Sequence, residues 1–424
     1  MKHKKKGRKL FTYQARNRRV FSDYHPVRSA IGTAVTLVLV AVIGFVGYNV
    51  VGPIVTRLHE EEVNPTATAD PYFTEKPVNQ ETQPVAETIE SVTSTTITTM
   101  LTTEQTTTAT TEEPFPARFA EDVDVAMLVS EESLESLDSV EKAAKSCRDH
   151  GFRSMILPLK LSSGKLQYAS SVDKAVACGA SNDSMLTLRE IVNAAKRYQV
   201  SCVAQIYTLE DHTFPNYFME GSYVFDDGTT RWLDNKPEEG GQPWLNPFDA
   251  ASADYLAGIA AEIQKSGFTQ IICCGTVFPS FFHSDAEILG SRIEDPVQRK
   301  DALLSVLNRI SDVAPTAGLY ADLYDISQGT AEAFQPGELH MAPVYIRINP
   351  EEFTEALFIG EQRFDPGSLA FREKIEMLAE AARSASGSHE VIPILQADSL
   401  TDADIDTAAD VLSENGFKKI CLQQ

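Results

Sequence analysis

From residue 122 onward, short runs rich in Val, Ile and Leu alternate with longer stretches in which apolar residues recur every three or four positions. The short runs fall at residues 124–130, 153–160, 201–207, 269–278, 316–324, 339–346, 391–396 and 418–424. They are nearly continuous in apolar character, as strands buried on both faces are, and the stretches between them have helical period. This alternation predicts parallel βαβ units. Eight strands within about 300 residues, all but one pair separated by a plausible crossover helix, predict a closed (β/α)8 TIM barrel. The weak connection is the one between the fifth and sixth runs. Three helices are marked by their ends: SVEKAAKSCRDHGF, TLREIVNAAKRYQV and DAASADYLAGIAAEIQKSGF, the last opening on a capping Asp249. Gly-Phe closes a helix just before a strand three times, at Gly151, Gly267 and Gly416, which reads as a shared helix-to-strand turn. Residues 208–247 form the one long connection, and long loops in compact domains are usually functional.

The N-terminal third follows a different pattern. Residues 29–56 carry no charge, and 30–51 are apolar enough to cross a bilayer, which takes roughly 20 helical residues. Ten Lys and Arg residues precede this stretch against a single acid, Asp23, so the positive-inside rule places the N-terminus in the cytoplasm. The apolar run is too long for a signal-peptide core and no A-x-A-like cleavage site follows it. Beyond it the composition turns to Thr, Glu, Pro and Val; 12 of the 19 residues from 93 to 111 are Thr, too polar a run to bury a core. The expected organisation is a basic cytoplasmic tail (1–29), a transmembrane helix (30–55), a disordered linker (56–116) and the barrel (117–424). The localisation that follows is a single-pass cell-membrane protein with its C-terminal domain outside.

The formal net charge of −23 understates the acidity of the C-terminal domain, because the positive charge is concentrated in the tail. Such a domain repels nucleic acid. The basic tail, next to a span, suits anionic lipid. All six cysteines lie in the C-terminal domain without regular spacing, so they read as small buried hydrophobes; a vicinal Cys273–Cys274 disulfide or a redox role is the alternative.

A series of phrases then becomes recognisable: LPLKLSSGKLQYAS (157–170), VAQIYTLEDHTFP (203–215), WLNPFDAASADYLAGIAAEI (244–263), the GF-x-x-I-x-x-x-x-x-x-FP phrase around the fourth run (267–279), LYADLYD (319–325), HMAPVYI (340–346) and PILQ (393–396). In this order the chain from about 120 to 424 resembles the glycoside-hydrolase-like domain family of bacterial surface proteins, a (β/α)8 family. The resemblance implies a polysaccharide as partner and no cofactor. It also implies an acid before the Lys that ends the second strand, an Arg on the third, and an Asp followed by an aromatic at the end of the fourth. Here those places hold Pro158, Gln205, and Cys274 with Gly275.

Glycosidases need two carboxyl groups flanking the scissile bond. The candidates beyond strand ends are Glu210 and Asp211, with His212, after the third run, and Asp322, with Asp325, after the fifth; the seventh run adds Gln396 and Asp398. Asp322 leads the catalytic set and Glu210 or Asp211 would partner it. As alternatives, Asp322 caps the following turn and TLED is a turn-opening cluster. Tyr207, Trp232, Trp244, Tyr345 (near Arg347) and Gln396 are the candidate sugar contacts, because aromatic faces stack on sugar rings while polar tips bind hydroxyls. Trp244 equally suits packing of the loop on the rim, and Trp232, set among Thr229, Thr230, Arg231 and Asp234, is expected to be exposed. No metal site is expected: His212, Asp226, Asp227 and Asp234 share a loop but lack ligand spacing, and His283 and His340 stand apart. Two functions follow, a membrane-anchored extracellular glycoside hydrolase acting on a cell-wall or environmental polysaccharide, or a degenerate barrel that binds glycan or scaffolds wall proteins.

Overall fold

The computed structural model describes residues 114–334, 336–341 and 343–423. The expected tail, transmembrane helix and most of the linker lie outside the described residues.

The eight expected runs form eight parallel strands: β1 (Asp124–Leu128), β2 (Ser154–Lys160), β3 (Ser201–Tyr207), β4 (Gln270–Cys274), β5 (Ala317–Asp322), β6 (Pro343–Ile348), β9 (Glu390–Gln396) and β10 (Lys419–Gln423). They close in the order β1-β10-β9-β6-β5-β4-β3-β2, with Asp124 beside Lys419 and Ala126 beside Ser154 completing the ring. A two-stranded antiparallel ribbon, β7 (Leu357–Ile359) and β8 (Gln362–Phe364), sits in the crossover between β6 and β9. This is the (β/α)8 barrel that the alternation predicts.

Period-two alternation sorts each strand between two apolar layers. One layer fills the barrel: Ala126, Ile156, Val203, Ile272, Cys274, Tyr345, Ile392, Ile394 and Cys421. The intervening residues, among them Met155, Leu157, Cys202, Ala204, Ile271, Leu319, Val344 and Ile346, join the larger core beneath the outer helices. Gly318 makes the interior fit, since a Cβ there would lie 2.7 Å from Cε2 of Tyr345.

The outer helices begin where side chains satisfy their free N–H groups. Ser136 caps α1 (Leu137–Asp149), and Thr187 and Glu190 form a capping box on α3 (Leu188–Lys196), which follows the short α2 (Asp173–Ala177). A brief α4 (Phe214–Tyr217) precedes α5 (Ala250–Lys265), whose first turn is capped by Asp249 as expected. Next come α6 (Asp285–Leu289), α7 (Pro296–Val313), the six-residue α8 (Leu323–Gln328), α9 (Phe371–Ser386) and α10 (Asp402–Glu414). The three Gly-Phe turns share one geometry, with φ of 80°, 96° and 84° at Gly151, Gly267 and Gly416, a left-handed conformation that only glycine adopts freely.

Two boundaries differ from expectation. The fourth strand stops at Cys274 because Gly275 turns left-handed at φ 60°. The sixth begins at Pro343, not at 339; Leu339 and Met341 are buried as part of its approach, and among the described residues the weak fifth connection holds the short α8 and one 3-10 turn, Pro336–Glu338.

Candidate functional site at the barrel mouth

In a (β/α)8 barrel the C-terminal strand ends form the face where sites are built. Extending the inward alternation to that face gives Leu128 (β1), Pro158 (β2), Gln205 and Tyr207 (β3), Cys274 (β4), Tyr320 and Asp322 (β5), Arg347 (β6), Gln396 (β9) and Gln423 (β10). Tyr207 and Tyr320, both partly buried, pack on the interior cluster and floor the mouth. Pro158, Gln205 and Cys274, which replace the ionisable residues that the sequence resemblance implies, all lie on this ring. Gln205 Nε2 donates to Cys274 Sγ at 3.4 Å, and burial pushes the Cys274 thiol up to about 12. Three neutral groups thus hold positions where charge was expected.

Among the candidate acids, Asp211 is fully buried. One of its oxygens lies 2.8 Å from Lys160 Nζ, itself without exposed surface. The other accepts the backbone N–H groups of Thr213 and Phe214 at 2.8 and 3.0 Å. Lys160 also donates to the carbonyl of Tyr207 at 2.7 Å. Asp211 therefore fastens the end of β2 to the loop after β3 and has no surface left for a ligand.

Asp322 stands at the mouth but is also committed. One oxygen caps α8 by accepting from Tyr324 N–H at 2.8 Å, and the other accepts from Arg347 Nη1 at 2.5 Å. Arg347 in turn donates to both Glu352 oxygens at 3.2 Å and, through Nε, to Gln396 Oε1 at 2.9 Å; Gln396 reaches Asp398. Burial raises the Asp322 carboxyl above its ordinary value, and the opposing pull of the Tyr324 N–H and Arg347 does not cancel it.

Glu210 is different. It is half-buried, its backbone N–H bonds the carbonyl of Gly275, and its carboxylate has no hydrogen-bond or ion-pair partner among the described residues. Gly275 makes space for it, since a Cβ there would meet Tyr207 Cδ1 at 2.8 Å and Glu210 Cβ at 3.2 Å. Burial, together with Cys274 and the Glu210 charge, raises the Tyr207 hydroxyl. A cleft of ≈ 640 Å³ opens beside Tyr207, between the loop after β1 and the ends of β2, β3 and β10; Gln205, Gln423, Glu131 and Glu132 line it.

Of the candidate sugar contacts, Tyr207 and Gln396 are at the mouth. Trp232 is a correction: it is 3% exposed, packed against Tyr223 and Phe281. Of its polar neighbours in sequence Thr229 and Thr230 are exposed, while Phe281, from the β4–α6 connection, packs against the indole. Trp244 packs on the rim, its ring edge on His212 and its N–H donating to Asp234 at 2.8 Å. Tyr345 lies below the mouth with no exposed surface, because β6 alternation gives the mouth to Arg347, two residues on. In the long loop Asp227 folds back onto Thr229 and Thr230, and His212 Nδ1 sits 2.9 Å from the Pro243 carbonyl. The sequence reading missed Tyr320, which period two places two residues before Asp322, and Glu131 with Glu132, which directly follow the first strand.

A family model described as "Putative glycosyl hydrolase domain" matches residues 126–326, from β1 to α8. The resemblance read from the sequence is borne out over this stretch, where the chain is similar to that family. No curated protein matches the chain. Similar solved structures include the glycoside hydrolase domain of PgaB (BpsB) from Bordetella bronchiseptica, at 13% identity and TM-score 0.44, covering 71% of this chain and 94% of that one. The catalytic domain of a β-amylase from Paenibacillus polymyxa is 9% identical with TM-score 0.43, covering 72% and 93%. A hypothetical protein from Ruminiclostridium thermocellum is 17% identical with TM-score 0.37, covering 47% and 97%.

Proposed function

From a glycosyl-hydrolase-like barrel, we propose that the mouth of this domain binds a polysaccharide and does not cleave it. One observation carries the reading: hydrolysis requires two carboxyls free to flank a glycosidic bond, yet Asp211 is consumed by Lys160 and Asp322 by Arg347 and the α8 cap. Glu210 alone of the three candidates keeps an uncommitted carboxylate. Tyr207 supplies an aromatic face beside it, with Gln205 and Gln423 as uncharged hydrogen-bonding partners, a combination that suits sugar recognition.

In this reading the apolar segment 30–55 anchors the chain in the cell membrane, the N-terminus is cytoplasmic, and the linker 56–116 carries the domain outside the cell toward wall or environmental glycan. The length of the Thr-rich linker supports it, with a coil reach of roughly 40 Å. Hydrolysis is the second reading, and the uncommitted Glu210 is what favours it.

The test is a panel of bacterial-wall and plant polysaccharides offered to the purified full-length chain, with retention and release of reducing ends both measured. Retention without release is expected. Release that Glu210→Gln abolishes would establish the hydrolase reading instead.

A further inference from the structure

Given the polysaccharide reading, strand register decides how the two aromatic side chains of the mouth can share a ligand. Tyr207 on β3 pairs with Cys274 on β4, and Cys273 pairs with Leu319 on β5. One further step of that register brings Tyr320 level with Cys274. Tyr207 and Tyr320 thus stand at one height on the inner wall, separated by two strand spacings, about 9–10 Å. Both point inward by period two, both pack on the interior cluster, and both are partly exposed. Between them β4 offers nothing bulky, because Cys274 is buried and Gly275 has no side chain. Gly275 also lets Tyr207 lie close over the end of β4, since a Cβ there would be 2.8 Å from its Cδ1. Among the described residues neither tyrosine contacts another aromatic ring, and neither hydroxyl has a hydrogen-bond partner.

A sugar ring stacks on an aromatic face while its hydroxyls take polar partners. Two such faces set two strands apart are used together only by two rings. On the far side of Tyr207 the cleft continues past Gln205 to Gln423 on β10, so the path stays open beyond the second face. We propose that Tyr320 and Tyr207 are successive platforms for separate rings of one polysaccharide chain, which runs from the end of β5 over Cys274 and Gly275 into that cleft. Tyr320 is thereby a binding residue, and the site takes a run of sugar units in place of a single one.

The test titrates the full-length chain with β-1,4-linked oligomers of glucose and of N-acetylglucosamine, one to six units long, and measures retention on cellulose, chitin and peptidoglycan alongside. Affinity is expected to rise about tenfold or more from one unit to the length that spans both platforms, and then to level off. Tyr320→Leu and Tyr207→Leu should each remove most of that rise and lower retention on whichever polymer is held, whereas Tyr320→Phe, which keeps the ring, should preserve both. Thermal unfolding of each variant separates loss of a platform from loss of the fold, and the length series of the native chain decides the matter without any variant. A single sugar bound as tightly as six units would mean that one ring is clasped between the tyrosines and would overturn the proposal, leaving the polysaccharide reading standing. So would a rise, or a retention, that survives Tyr320→Leu in a folded chain. No oligomer bound and no polymer retained would overturn the polysaccharide reading itself.

Discussion

Burial holds the Cys274 thiol at about 12 and raises Cys147, Cys202, Cys273 and Cys421 likewise, so at neutral pH these sulfurs are protonated and packed as hydrophobes. Cys178 is the one half-buried thiol of the six. Alkylation of the native chain with iodoacetamide, followed by mass spectrometry, should mark Cys178 alone and only slowly; label at Cys274 without denaturant would contradict this. Asp322 gives a second residue-scale prediction. Its folded value is raised by burial, so its favourable contribution to stability is complete below the unfolded value and is lost as pH rises through the raised folded value. Asn at this position cannot titrate but still accepts from the Tyr324 N–H. Thermal unfolding should therefore show the native chain gaining stability relative to Asp322→Asn as pH falls from about 7 to about 4. A difference that does not change with pH would show that Arg347 fully offsets the burial. Residue roles of this kind were only partly legible. The sequence identified Asp322 as important, and both expected roles, site residue and cap, address the same carboxylate. Its partner Arg347 lies 25 residues away and meets it only because β5 and β6 pair in register, Asp322 beside Arg347.

Strand ends and the loops beyond them are coupled through Lys160 and Asp211, a buried pair joining β2 to the connection after β3. Removing one member leaves the other a buried, unpaired charge. Lys160→Met should cost about 3–5 kcal/mol of stability, and most of that loss should return in Lys160→Met with Asp211→Asn, which keeps the acceptor for Thr213 and Phe214. Denaturant unfolding of the two variants checks it; equal losses would mean that the pair contributes through packing alone. The strands themselves were readable because each is buried on two faces and yields a continuous apolar run, and the capped helices and Gly-Phe turns fix most boundaries. Asp211 was not readable. TLED has the composition of an exposed turn, and nothing local reveals that Lys160, some fifty positions earlier in the chain, closes over it. Trp232 failed for the same reason, since Phe281 arrives from a different connection.

At the scale of the molecule, the barrel turns the period-two alternation of eight strands into a ring at one face, and the chemistry of that ring is the account's main content. Its carboxylates are largely paired, its floor is aromatic, and its unpaired charge is negative. The acidic balance of the domain, visible in composition, points the same way as the cleft. The barrel could be read from the order of elements alone, whereas the commitment of Asp211 and Asp322 needed the closed ring. Whether the mouth binds or cleaves is tested most directly by isothermal titration calorimetry of the full-length chain with an oligosaccharide that it retains. The account predicts discrete heats that saturate as sites fill and that disappear in Tyr207→Ala. A sustained heat flow proportional to protein concentration, continuing until the oligosaccharide is consumed, would mean turnover and would contradict it.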